Sequence, residues 1–98
     1  MTEVTGDCVP LQPEQFFRRK EPFGEFICAK RTPVLQITHI EAEILDLVGS
    51  GRTAAEIAEV IADRHDFSFP DVIETVLEFV RNCVDLKILS VRPPERPQ

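Results

Sequence analysis

The sequence predicts an α+β domain in which a three-stranded antiparallel sheet at the N-terminal end is followed by three helices. Residues 16–38 break into short aromatic and β-branched runs separated by turn residues, the pattern of a meander. Three hydroxyl residues, Thr38, Thr53 and Ser68, each stand three positions before an acid, at Glu41, Glu56 and Asp71. Such spacing marks helix starts, because the hydroxyl accepts from the third amide while the acid reaches back to the cap amide. After each start, apolar residues recur at helical spacing.

Phe16 and Phe17 open the first strand, Glu21-Pro22-Phe23-Gly24 turns the chain, and residues 25–30 continue as the second. A turn over residues 30–33 leads into the third strand, residues 34–38. There Leu35 and Ile37 share one face while Val34, Gln36 and Thr38 share the other. The first helix spans residues 39–48 with Ile40, Ile44, Leu47 and Val48 inward, and Gly49-Ser50-Gly51 ends it. The second spans residues 54–65 with Ala54, Ile57, Ala58 and Ile61 inward, the third residues 71–85, and residues 86–91 form a closing extended segment. This order of elements is winged helix-turn-helix-like. Residues 1–15, with Pro10 and Pro13, and residues 92–98 carry no period and are expected to be flexible, leaving residues 16–91 as the domain.

The third helix is over-wide in its apolar face. Val72, Val76, Phe79 and Cys83 make one stripe, and Ile73, Leu77, Val80 and Val84 make the next. Together they cover roughly 160°, more than the ~100° a surface helix needs for its core contact. One stripe is spare, and periodicity alone leaves open which. In a winged helix this helix would meet DNA phosphates, yet its polar face offers Asp71, Glu74, Glu78 and Asp85 against Arg81 alone. Nucleic acid is therefore not the expected partner.

The 98 residues carry a net charge of -6, and 43% are hydrophobic. Residues 16–31 hold five cations against two acids, a net of +3, whereas residues 39–85 hold eleven acids against three arginines, a net of -8. No apolar run approaches the ~20 residues of a membrane span, and the N-terminus lacks the pattern of a signal peptide, so a cytoplasmic protein without membrane contact is expected. Cys8, Cys28 and Cys83 are odd in number and never close in sequence, and His39 and His65 have no ligand partners at metal spacing. Free thiols, two of them buried, and no metal or cofactor are expected. Gly49-Ser50-Gly51-Arg52-Thr53 lacks the lysine of a phosphate loop and follows a helix, so it reads as an interhelical turn. No nucleophile stands beside a base, and Glu41/Glu43 and Glu74/Glu78 fall on faces expected to be exposed, so no catalytic residue is assigned.

What remains is binding. If residues 34–38 lie at the sheet edge, their unpaired amides and carbonyls can accept an extended peptide as a further strand. The run Arg19-Lys20-Glu21-Pro22-Phe23-Gly24, the helix around Ile40 to Leu47, the element Gly51-Arg52-Thr53-Ala54-Ala55-Glu56-Ile57-Ala58 and the segment from Val76 to Leu89 resemble the PqqD-like family. The resemblance covers about residues 16–90, and the Glu-Pro-Phe-Gly piece is similar to the mycofactocin-type peptide chaperones within that group. It implies a non-catalytic chaperone that holds the leader of a ribosomally made precursor peptide and presents it to a modifying enzyme, typically a radical SAM protein. By the same resemblance the leader would pair with Val34, Leu35, Gln36 and Ile37 and rest on Val72, Val76, Phe79 and Cys83. Around Cys83-Val84-Asp85-Leu86-Lys87 the chain departs from the family's usual leucine and glycine. Lys30 and Arg31, beside the strand, would attract acidic leader residues. Two other readings are an acidic winged-helix transcriptional regulator and an adaptor that forms a homodimer through its free strands.

Overall fold

The computed structural model describes residues 4–93. In chain order its elements are β1 (Val9–Leu11), β2 (Phe16–Glu21), β3 (Gly24–Ala29), β4 (Leu35–Ile37), α1 (His39–Leu47), α2 (Ala54–His65), α3 (Phe69–Asp85) and β5 (Ser90–Arg92). The α+β class is the one expected, and the meander is a three-stranded antiparallel sheet in the order β2-β3-β4.

Alternation divides this sheet into two faces. Pairing sets Phe16 opposite Ala29, Arg18 opposite Ile27 and Ile27 opposite Leu35, so these residues share the inner face. There Ile27, Ala29 and Ile37 are buried, and Phe16 and Leu35 pack against the same core. Glu21 pairs with Gly24 across the turn, where Gly24 has φ of 153°. An added Cβ would stand 2.7 Å from Nε2 of Gln36, the amide that donates to the Phe23 carbonyl at 3.4 Å. The backbone angle requires glycine, while the Gln36 amide, at the end of an exposed and flexible side chain, could move aside. Arg18 ties the sheet to α1: it pairs with Glu25 and donates to Asp46 Oδ1 at 2.8 Å and to the Ala42 carbonyl at 3.0 Å.

Two of the three helix starts behave as their sequence implies. Thr38 and Thr53 each accept from the third amide at 3.2 Å, while Glu41 and Glu56 return to the cap amides at 2.8 and 2.9 Å. The third differs. Ser68 stands at the cap position but makes no side-chain cap bond, and α3 begins at Phe69 with Pro70 in the first turn. Proline has no amide to satisfy and its fixed φ suits a first turn, so the helix starts two residues before the expected position.

The core lies between the inner sheet face and the helices, with α2 packed along α3. Ile44, Leu45, Ile57, Ile61, Val76, Val80 and Ile88 are all buried to 1% exposure or less. Each contributes about 1.5–3 kcal/mol relative to an exposed side chain.

The ends differ from the expectation of loose segments. Within residues 1–15, Cys8, Val9 and Pro10 are buried and β1 pairs antiparallel with β5, Val9 opposite Arg92 and Leu11 opposite Ser90. The carbonyls of Gly6 and Cys8 accept the amides of Ala55 and Ala54, both at 2.8 Å. The N-terminal segment thus satisfies two donors that a helix start leaves without intrahelical partners. Arg92, assigned in sequence to the tail, belongs to β5, and residues 94–98 lie outside the described residues. In the closing segment Ile88 and Leu89 are core residues, and the strand begins only at Ser90.

Candidate functional site

β4 is the last strand of its sheet: among the described residues it pairs with β3 and with no other strand. About half of an antiparallel edge strand's amides and carbonyls point away from its neighbour. On β4 the inward side chains are Leu35 and the buried Ile37, while Gln36 and the preceding Val34, 65% exposed, point outward. Thr38 then caps α1, so the strand is held at one end by a helix start. Lys30 and Arg31 are exposed in the β3–β4 turn, with Arg31 left-handed at φ of 65°. Beside them the Thr32 hydroxyl accepts from the Ala29 amide at 2.7 Å and donates to the Ala29 carbonyl at 2.9 Å.

The helix stripe assigned to the same site is placed differently. Val72, Val76, Phe79 and Cys83 are 6%, 0%, 2% and 0% exposed: they are the stripe that packs into the core. Burial pushes the Cys83 thiol up to about 12. The other stripe splits, with Val80 buried and Ile73, Leu77 and Val84 half-buried. These half-buried residues lie on the flank from which Arg81 Nη2 donates to the Val4 carbonyl at 3.4 Å. The N-terminal segment that was expected to be loose therefore runs beside the spare stripe.

The opposite flank of α3 is open. Asp71, Val72 and Thr75 line a cavity of ≈ 300 Å³ together with Ile40 of α1, Ile61 of α2, Phe67 and Ser68. Ile40 sits in the first turn of α1, immediately after β4. Ile40, three residues after the end of β4, is the cavity's link to the free strand, no residue of which lines it, and Val72 alone of the four assigned helix residues does. Ile40, Phe67 and Thr75 were not assigned from sequence. One signal was present: Phe67 precedes the cap Ser68 and Val72 is the fourth residue of the helix, the spacing of a hydrophobic staple.

A second cavity, of ≈ 640 Å³, lies at the other side of β4 and is lined by charge, including Arg18, Lys20, Glu25, Ile37, His39, Glu43 and Asp46. Glu43 is not the exposed carboxylate expected from sequence, nor does His65 stand alone. His65 Nε2 donates to Glu43 Oε2 at 2.6 Å, Arg64 donates to Oε1 at 3.5 Å, and the imidazole stacks on Phe67 at 5.1 Å. Partial burial works against ionisation of Glu43, but the His65 bond and the neighbouring charges outweigh it and hold the carboxyl below its ordinary value. No group of three metal-ligating side chains occurs among the described residues, and Cys8, Cys28 and Cys83 are free thiols. No helix there is long and apolar enough to cross a membrane.

No family model matches the chain, and no curated protein is similar to it in sequence. Its structure is similar to the solution NMR structure of the PqqD truncation of Methylobacterium extorquens PqqCD, described as a functional and stand-alone RiPP recognition element. The two share a TM-score of 0.78 at 18% identity, over 91% of this chain and 96% of that one. The chain therefore has the PqqD fold, in agreement with the resemblance read from its sequence.

Proposed function

We propose that this chain is a PqqD-like recognition element, a non-catalytic chaperone that binds the leader of a ribosomally synthesised precursor peptide and presents it to a modifying enzyme. A radical SAM enzyme is the partner the sequence resemblance implies. The free edge of β4 carries this reading. A leader segment would add there as a further strand, hydrogen-bonding to the backbone of Val34, Leu35, Gln36 and Ile37. Its apolar side chains would enter the cavity beside Ile40, Phe67 and Val72, while Val76, Phe79 and Cys83 hold α3 in the core.

The magnitudes suit a reversible complex. Each added backbone bond contributes ~1 kcal/mol net, apolar burial adds roughly 25 cal/mol per Å², and ordering the peptide costs about 1–2 kcal/mol per residue. A micromolar complex, about -8 kcal/mol, is the expected balance. The test is calorimetric titration with synthetic leader peptides of ribosomally synthesised precursors. Micromolar binding to the wild type, weakened about tenfold in Phe67→Ser, supports the reading. Wild-type binding that Phe67→Ser leaves unchanged removes the cavity from the site, and no binding by the wild type removes the function.

A further inference from the structure

The outer face of the β2-β3-β4 sheet is unpartnered. Phe17 pairs across with Cys28 and Arg19 with Phe26, so all four point away from the core, with Val34 beyond them on the far side of the β3–β4 turn. Phe17, Phe23 and Val34 are 57%, 73% and 65% exposed, and Phe23 meets Phe26 edge-on at 5.7 Å. Together these residues line an open hollow of ≈ 630 Å³. Buried phenylalanines cover 150–250 Å², so these fractions leave roughly 300 Å² of exposed apolar surface around the hollow, the size of the largest apolar patch on many soluble domains, which is often functional.

Charge narrows the occupant. Arg19, Lys30 and Arg31 are exposed around this face, Arg19 paired with Glu21 on the same rim, whereas Lys20 and Arg18 lie on the opposite face, where Arg18 is engaged by Glu25 and Asp46. A second copy docking by the same face would bring two sets of these cations together. The patch is also well short of the ~800 Å² per partner of a stable interface. A like-charged, undersized contact does not make a homodimer, but it suits transient docking of a different protein whose apolar spot is rimmed by acids.

We propose that this sheet face is the docking surface for an acidic-rimmed apolar patch on the peptide-modifying enzyme. The identity of that partner rests on the leader-binding reading above, while the docking face stands on its own residues. The two sites adjoin. A strand added to β4 would place alternate side chains on the outer face beside Val34 and Gln36. The enzyme would then meet leader and sheet as one surface.

The probe is a purified radical SAM peptide-modifying enzyme, measured by biolayer interferometry against the wild type, Phe17→Ser/Phe23→Ser and Lys30→Glu/Arg31→Glu. Both substituted residues of each variant are exposed at the surface or in its turns, and circular dichroism checks that the fold is retained. The expected result is at least tenfold weaker enzyme binding for both variants, weakening of the wild-type complex with added salt, and leader affinity within twofold of wild type for the phenylalanine variant. Unchanged enzyme binding overturns the proposal. A parallel loss of leader affinity in the phenylalanine variant overturns it too, by making the face part of the leader's own site. Tight binding of a single-stranded oligonucleotide to the aromatic face would replace the protein partner. If the wild type binds the enzyme through this face but ignores the leader peptide, the docking proposal survives and the leader reading fails.

Discussion

β1 and β4 are both three-residue strands, yet one is closed and the other open. β1 pairs with β5, buries Val9 and Pro10, and lies in a segment whose carbonyls satisfy the start of α2. Its proline also removes one edge donor. β4, like β1, pairs with one strand only, but its outward-facing Gln36 and the preceding Val34 are exposed where Val9 and Pro10 are buried. Strand length thus says little about availability. What separates the two is whether the rest of the chain packs over the strand's side chains.

The largest expected effect concerns the buried stripe of α3. Phe79→Ala should cost about 3–5 kcal/mol in urea unfolding, because it empties a packed core position. A loss of leader affinity with stability intact would instead make Phe79 a groove residue and reverse its placement. Next comes β1: removing residues 1–11 should cost about 2–4 kcal/mol through lost apolar burial and two orphaned amides of α2. Val34→Ala on β4 should stay within about 0.5 kcal/mol of wild type. Equal effects for the two would erase the contrast between closed and open strands. The caps give a smaller step. Thr53→Ala should cost ~1 kcal/mol and Ser68→Ala a few tenths at most, since only Thr53 makes the cap bond.

The smallest effect is set by pH. Glu43 lies below its ordinary carboxylate value in the fold, so its contribution is fully present above that value and is lost as pH falls through the depressed one. Glu43→Gln should flatten stability against pH in that acidic window alone, and an unchanged profile would show that the His65 bond does not persist in solution.

Much of this fold was legible because the signals were local. The boxes at Thr38–Glu41 and Thr53–Glu56 set two helix starts, and α2 ends at the expected residue. The hairpin turn at Gly24 and the inward Leu35 and Ile37 follow from turn chemistry and alternation. What escaped was long-range. β1 is a proline-bearing tripeptide whose partner lies about eighty residues away, so no local period announces it. His65 and Glu43 meet across 22 residues. The candidate site was half legible: the edge strand was read from order, but two adjoining apolar stripes on α3 cannot reveal which one packs inward. The inward one proved to be Val72, Val76, Phe79 and Cys83, and the accessible cavity lies on the flank carrying Thr75 and Asp71.

Amide hydrogen exchange, recorded with and without the leader peptide, tests the open strand most directly. Outward amides of β4 should exchange rapidly in the free protein and become protected when peptide is bound, while β1 stays protected throughout. Protection of β4 before any peptide is added, or peptide-induced protection confined to other elements, would contradict a peptide site on this edge.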